Sequence, residues 1–133
     1  MDEVIRDDNY CFACGKDNPI GLKLDIDASE DGAKIEGYVI KKEYQGYAGI
    51  VHGGILSLIL DEIQVYAAGG KGYKTVTAKI EVRFIKPVKT GVPIRAEARV
   101  INIKKGAWIE TEGEIYQEGI LKVKSKALLR AVS

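Results

Sequence analysis

Between residues 54 and 68 the chain is apolar on nearly every side, whereas beyond residue 75 the apolar positions fall on every second residue. The first pattern predicts a helix from Gly54 to Ala68 buried on most sides, ended by Gly69-Gly70-Lys71-Gly72. The second predicts strands. From Thr75 to Phe84 the side chains of Val76, Ala78, Ile80, Val82 and Phe84 form a core face, with Thr75, Thr77, Lys79, Glu81 and Arg83 opposite. Pro87 stops that strand, Gly91 turns the chain, and Ile94, Ala96, Ala98 and Val100 begin another alternating run. Two further strands flank Gly119. Ahead of the helix, Leu22–Ile26 and Ala33–Ile40 read as a hairpin turned at Asp31-Gly32. The class is therefore α+β, with a meander of long antiparallel strands closing over one buried helix.

Charge suggests a register for the last strands. With Gln117-Glu118-Gly119 as a three-residue loop, Glu114 faces Lys122, Glu112 faces Lys124 and Glu110 faces Lys126. With Ile103 to Gly106 as the preceding loop, Arg99 faces Glu110 and Arg95 faces Glu114. Exposed pairs of this kind contribute only about 0.2 to 1 kcal/mol each, so the charges read as a solvated outer face rather than a binding patch.

A length of 133 residues with 46% hydrophobic composition suits one domain and one core, with residues 1–20 a loose lead-in. The 20 basic and 19 acidic side chains leave a formal charge of +1, which gives no bulk attraction to nucleic acid or an anionic membrane. The opening nine residues are polar and acidic, unlike a secretory signal, and no apolar run reaches membrane-spanning length. A cytoplasmic protein is the expectation. Cys11 and Cys14 form a single C-x-x-C pair; no second pair or His-x-His completes a tetrahedral set, so the pair reads as structural. A zinc shared with another subunit and a redox couple are the minority readings.

The stretch from Tyr47 to Glu62 carries the candidate chemistry. It sets His52, the one histidine, and the Gly53-Gly54 pair at the mouth of the apolar helix, with Asp61 inside it. Glycines let a ligand approach the backbone, and the unpaired amides of a helix start stabilise a developing oxyanion. Asp61 among Leu58, Ile59, Leu60 and Ile63 is costly unless paired or functional. Each feature alone has an ordinary explanation: a turn, a satisfied core or surface histidine, a wet helix stripe. Their order and spacing make the joint ordinary account the weaker one. Glu62 points about 100° away from Asp61 around the helix and is the fallback base.

His52-Gly53-Gly54 with Asp61, then Thr75-Val76-Thr77, then Val82 to Val88 and Gly91, resembles the hotdog-fold acyl-CoA thioesterases of the phenylacetate-degradation (PaaI-like) group. Cys11-Phe12-Ala13-Cys14-Gly15 with Asn18 to Leu22 resembles the THEM4-like branch of that superfamily. The resemblance implies a long central helix wrapped by a curved antiparallel sheet and hydrolysis of acyl-CoA thioesters. By the same resemblance Gly53 or Gly54 donates to the thioester carbonyl, His52 shapes the turn, and Asp61 acts as nucleophile or general base, with Thr77 assisting. Coenzyme A would be the carrier within the substrate, with no bound cofactor and no catalytic metal. Many relatives carry an amide side chain where this chain has Gly46, with Gln45 adjacent.

Helix geometry adds an expectation of its own. Gly54 and Asp61 lie seven residues apart, roughly 10 Å at about 1.5 Å per residue, so one carbonyl carbon can hardly meet both from the same helix. A two-fold pair of antiparallel helices would bring the start of one beside the middle of the other, giving a homodimer with shared sites, alone or within a tetramer. Two rival classes share the fold: a domain that binds acyl-CoA without cleaving it, and an enoyl-CoA hydratase that would make His52 catalytic.

Overall fold

The computed structural model of the protein describes residues 5–132; residues 1–4 of the expected lead-in, and residue 133, lie outside the described residues. Six strands form one antiparallel sheet: β1 (Asp27–Ser29), β2 (Gly32–Val39), β3 (Thr75–Phe84), β4 (Pro93–Lys104), β5 (Trp108–Gln117) and β6 (Ile120–Ala131). Their spatial order is β1-β2-β4-β5-β6-β3, which leaves β1 and β3 as the edges. The one α-helix among the described residues, α1 (Gly53–Gly70), packs against every strand, so the sheet curves around it as the hotdog arrangement requires. Among the described residues no helix is long and apolar enough to cross a membrane.

Side-chain size explains how a helix fits inside the curve. Inward positions near the middle of the sheet are small, namely Ala96 and Ala98 on β4, Gly113 on β5, and Ser125 and Ala127 on β6. Opposite them α1 presents Leu56, Ile59, Leu60, Ile63 and Ala67, all buried. One helix residue in this core is polar. Gln64 is fully buried, donating to Ser125 Oγ at 2.8 Å and to the Leu60 carbonyl at 3.0 Å, and accepting from the Thr111 hydroxyl at 2.9 Å. Its amide is satisfied by two neighbouring strands, β5 and β6, which fixes the rotation of α1 against them.

The helix extends past the expected Gly54–Ala68 by one residue at its start and two at its end. The expected first strand, Leu22–Ile26, is not part of the sheet. Leu22 and Leu24 do point into the core, but their amides bond to the carbonyls of Phe12 and Ala13, and Lys23 between them has φ 54°, outside strand geometry. The sheet begins later, with the short β1, which pairs with β2 across the two-residue turn Glu30-Asp31, one position ahead of the expected Asp31-Gly32. Ala13 is fully buried, so residues 11–24 are packed against the core.

The charge-derived register is displaced by two residues. Glu112 faces Lys126 and Glu114 faces Lys124 on β6, while Arg99 faces Glu112 and Arg95 faces Tyr116 across β4 and β5. The loop between β5 and β6 is the two-residue Glu118-Gly119, both at positive φ, rather than three residues. At Arg99, Glu112 and Glu114 the two-residue slip keeps the outer face and still opposes acid to base, although Arg95 now faces Tyr116 and Glu110 faces Leu128, so charge alternation at those three positions cannot distinguish the registers. Arg99 bonds Glu112 at 2.7 Å and Glu114, forming part of an outer ladder of half-exposed ion pairs.

The face of β3 also departs from the expected one. The pairing with β6 steps from Thr77↔Leu129 to Lys79↔Leu128, leaving Ala78 as an unpaired bulge residue. The bulge inverts the alternation ahead of it. Thr75 is buried and Thr77 half-buried, whereas Val76 and Ala78 are exposed; beyond the bulge Ile80 and Val82 resume the inward face.

Candidate active site

Two segments meet at the start of α1. The loop from Gln45 to Val51 is closed by a bridge between those two residues, and the His52 amide donates to the Tyr44 carbonyl at 3.0 Å. The strand-exit segment 85–88 lies alongside. Its position follows from an irregularity in β6, where Lys122 bulges out of the β5 pairing and its carbonyl accepts from Ile85 at 2.8 Å and Lys86 at 3.0 Å. Val51 then donates to the Val88 carbonyl, and the buried Gln117 side chain exchanges hydrogen bonds with the backbone of Lys89. The turn that carries His52 is thus held from both sides.

His52 is the N-cap of α1. Its Nδ1 accepts from the Gly54 amide at 2.9 Å, which requires the neutral ring with the proton on Nε2, and its carbonyl accepts from Ile55 and Leu56. These bonds divide the two glycine amides. Gly54 is engaged by the histidine, whereas the Gly53 amide has no partner among the hydrogen bonds of the described residues. At the first helical position it has no intrahelical acceptor to use, so it is a donor at the positive end of the helix dipole.

Asp61 lies two turns further along α1. It is half-buried, and its Oδ1 accepts the Thr77 hydroxyl at 2.5 Å. This bond fixes the rotamer of the Asp61 side chain while leaving Oδ2 without that partner. Thr77 reaches Asp61 because the Ala78 bulge turns it inward. Simple alternation had set it on the opposite face.

The glycine turn and the carboxylate do not come together within one chain. Eight residues of helix separate Gly53 from Asp61, an axial distance of about 12 Å. A cleft of about 610 Å³ opens at the turn, walled by Tyr47, Ile50, His52, Gly53, Phe84 and Lys86 among others, and Asp61 is not part of its wall. One copy of the chain therefore holds a donor site and a carboxylate site at different depths of the same helix.

The remaining candidates are placed elsewhere. Glu62 turns away from Asp61 and accepts from the Cys11 thiol at 3.5 Å. Burial, with the carboxylate of Glu62 beside it, pushes the Cys14 thiol up to about 12, and the Tyr66 hydroxyl that bonds Cys14 is raised as well. Gln45 caps the Gly49 amide at 3.0 Å and so serves its own loop. Of the cations near the strand ends, Lys86 lines the cleft and Lys89 pairs with Glu118 at 3.4 Å.

Comparison with known proteins gives this geometry a context. A model of the thioesterase superfamily matches residues 48–124, a span that runs from the His52 turn through Asp61 and Thr77 into β6. A protein from Archaeoglobus fulgidus described as a putative esterase is 28% identical over 78 residues, 59% of this chain and 50% of its own. The chain thus spans about half the length of that curated relative. Among solved structures, a thioesterase superfamily protein superposes with TM-score 0.85 at 23% identity, over 92% of this chain and 60% of the other. The PaaI protein of the phenylacetic acid degradation operon of E. coli superposes with TM-score 0.74 at 21% identity, over 82% and 83%. A Streptococcus mutans protein bound to acetyl-CoA gives TM-score 0.74 at 16% identity, over 83% and 89%. At these identities the structural likeness concerns the fold. The family model, which covers the turn, the helix and the bulged strand together, carries the stronger conclusion: this chain belongs to the thioesterase superfamily.

Proposed function

We propose that the protein hydrolyses acyl-CoA thioesters to a free acid and coenzyme A in sites shared between two copies of the chain. The observation that carries this reading is the division of labour along α1: a donor amide at Gly53, walled by a cleft, and a hydroxyl-clamped carboxylate at Asp61 about 12 Å away. The exposed edge of β3 supports pairing with a second copy. An antiparallel continuation of the sheet across that edge would run the two helices in opposite directions and bring one turn toward the other copy's Asp61.

In this mechanism the thioester carbonyl points its oxygen at the Gly53 amide, which stabilises the negative charge that develops as the carbonyl carbon becomes tetrahedral. Asp61 from the other copy activates water through Oδ2 while Thr77 holds Oδ1; direct attack by the carboxylate is the variant of the same arrangement. Collapse of the tetrahedral intermediate expels the thiolate of coenzyme A. His52 maintains the turn. Its Nδ1 is occupied by the Gly54 amide, which supports positioning over proton abstraction and sets the hydratase reading behind hydrolysis. The acetyl-CoA bound to the Streptococcus mutans protein of the same fold supports a CoA ester as substrate.

The test is thiol release from a panel of short, medium-chain and aromatic acyl-CoAs, repeated with Asp61→Asn. Release that is lost in the variant, with dimerisation and ligand binding retained, is the expected result. Binding without release in the unaltered protein would identify a binding domain, and release unchanged in Asp61→Asn would remove Asp61 from the reaction.

A further inference from the structure

About 100° around α1 from Asp61, at Glu62, three groups from two distant parts of the sequence converge. The Sγ atoms of Cys11 and Cys14 and a carboxylate oxygen of Glu62 all lie within 4.8 Å of one another. We propose that these three side chains bind a zinc ion that fastens residues 11–24 to the middle of α1. The site is separate from the proposed hydrolytic chemistry and stands whether or not that reading holds.

Geometry favours the ion. Zinc holds thiolate sulfur at about 2.3 Å and carboxylate oxygen at about 2.0–2.2 Å, so a sulfur and an oxygen on one tetrahedral zinc are about 3.6 Å apart. Cys11 Sγ and Glu62 Oε2 are 3.5 Å apart. The cysteine turn is stiff. The Gly15 amide donates to the Cys11 carbonyl at 2.8 Å, and a Cβ on Gly15 would lie 2.3 Å from the Cys11 nitrogen, which restricts that position to glycine. Ala13, between the two cysteines, is buried in the core, and the backbone bonds from Leu22 and Leu24 hold the segment in place. The ligands are thus presented from a preformed loop to a rigid helix.

Charge and donor chemistry agree with the geometry. Glu62 is half-buried, and no cationic side chain pairs with it among the ion pairs of the described residues. Its companions are two thiols, and a dication would supply the missing countercharge. Two sulfurs and one oxygen suit zinc, whereas magnesium and calcium take all-oxygen sets. Each thiol would give its proton to solvent as the metal enters. A cleft of about 860 Å³, lined by Tyr10, Cys11, Cys14, Glu62 and Tyr66 among others, gives the ion a path and leaves room for water as the fourth ligand. The sequence alone could not complete this set, because the third ligand comes from the helix rather than from a second cysteine pair.

The full chain, purified and reduced, should carry one zinc per chain by elemental analysis, and cobalt(II) alone should produce the intense thiolate-to-cobalt charge-transfer band. Cys11→Ser and Cys14→Ser should abolish that band, and Glu62→Gln should weaken zinc binding by more than about 100-fold, beyond the loss usual for an outer-shell partner. Zinc alone should raise the Tm of the unaltered protein and not that of Cys14→Ser. The proposal is overturned if the reduced, unaltered protein takes up no zinc and gives no cobalt–thiolate band, a result that does not depend on any variant folding. It is equally overturned if zinc affinity is unchanged in the cysteine variants, or if Cys11 and Cys14 form a disulfide in the presence of zinc and excess reductant.

Discussion

The Thr77 hydroxyl bonds the Asp61 carboxylate at 2.5 Å because one residue later Ala78 is pushed out of the β3–β6 pairing. Without that bulge Thr77 would share a face with Lys79 and Glu81, and Asp61 would lose its clamp. The bond joins an edge strand to the helix it covers, so the orientation of the carboxylate is tied to the strand edge through which pairing with a second copy is proposed.

Thr77→Val should therefore lower kcat by about 10- to 100-fold, the worth of a hydrogen bond to a charged group of roughly 1.5–3 kcal/mol, with KM little changed. Thr77→Ser keeps the hydroxyl and should retain most of the activity. Deleting Ala78 removes the bulge residue itself but leaves Thr77 directly before outward Lys79 and inward Ile80, so plain alternation keeps Thr77 on the inner face and that variant should retain the clamp and most of the activity. Steady-state kinetics on the three variants, alongside a thermal melt, separates loss of the clamp from loss of the fold.

Gln64 offers a test of what holds α1 in place. Gln64→Met keeps the volume but leaves the hydroxyls of Thr111 and Ser125 without the amide they bond. At about 1–3 kcal/mol for each of the two buried groups left unpaired, the variant should lose about 2–6 kcal/mol, read as a lower midpoint in urea with an unchanged m-value. Replacing Thr111 by Val and Ser125 by Ala as well removes the stranded hydroxyls, so the triple variant should recover part of that loss.

Much of this arrangement is legible in the sequence, and the parts that are not share a cause. The helix, the bounds of β3 and the apolar faces of β4 to β6 follow from local periodicity, which depends only on neighbouring residues. The register of β5 against β6 does not, since a shift of two leaves Glu112 and Glu114 opposite lysines either way. The inward turn of Thr77 depends on a bulge that nothing in Thr75 to Phe84 announces, and the partner of Cys11 is a helix residue 51 positions away. Leu22 and Leu24 alternate as a strand should, yet they pair with the lead-in because Lys23 leaves extended geometry between them. Local rules assign faces; contacts between distant segments decide which partner each face meets.

The two glycines can be told apart by proline. Gly53 occupies the first helical position, where proline is well tolerated because the amide it removes has no intrahelical partner. His52 before it is already extended, at φ −60° and ψ 135°, as a residue preceding proline should be, and a Cβ on Gly53 would meet the Phe84 ring at an ordinary 3.4 Å. Gly53→Pro should therefore fold with a Tm close to that of the unaltered protein and lose about 10²–10³ in kcat, the usual cost of one oxyanion donor. A Gly53→Pro protein that melts normally and turns over normally would shift the donor role to another group.

Subunit mixing tests whether the Gly53 amide and the Asp61 carboxylate act across two copies. Gly53→Pro and Asp61→Asn should each be nearly inactive alone, since every site in either homodimer lacks one of its two parts. When the two proteins are unfolded together and refolded as an equal mixture, half of the dimers should contain one chain of each kind. In such a heterodimer one site draws its amide from the Asp61→Asn chain and its carboxylate from the Gly53→Pro chain, so both parts are intact, while the other site lacks both. Random assortment then returns roughly a quarter of the unaltered activity. If each chain carried a complete site, the mixture would stay as inactive as its components at every ratio. Activity measured against mixing ratio, with dimer formation followed by sedimentation, distinguishes the two outcomes: a shared site gives a curve with its maximum at equal proportions, a self-contained site a flat line.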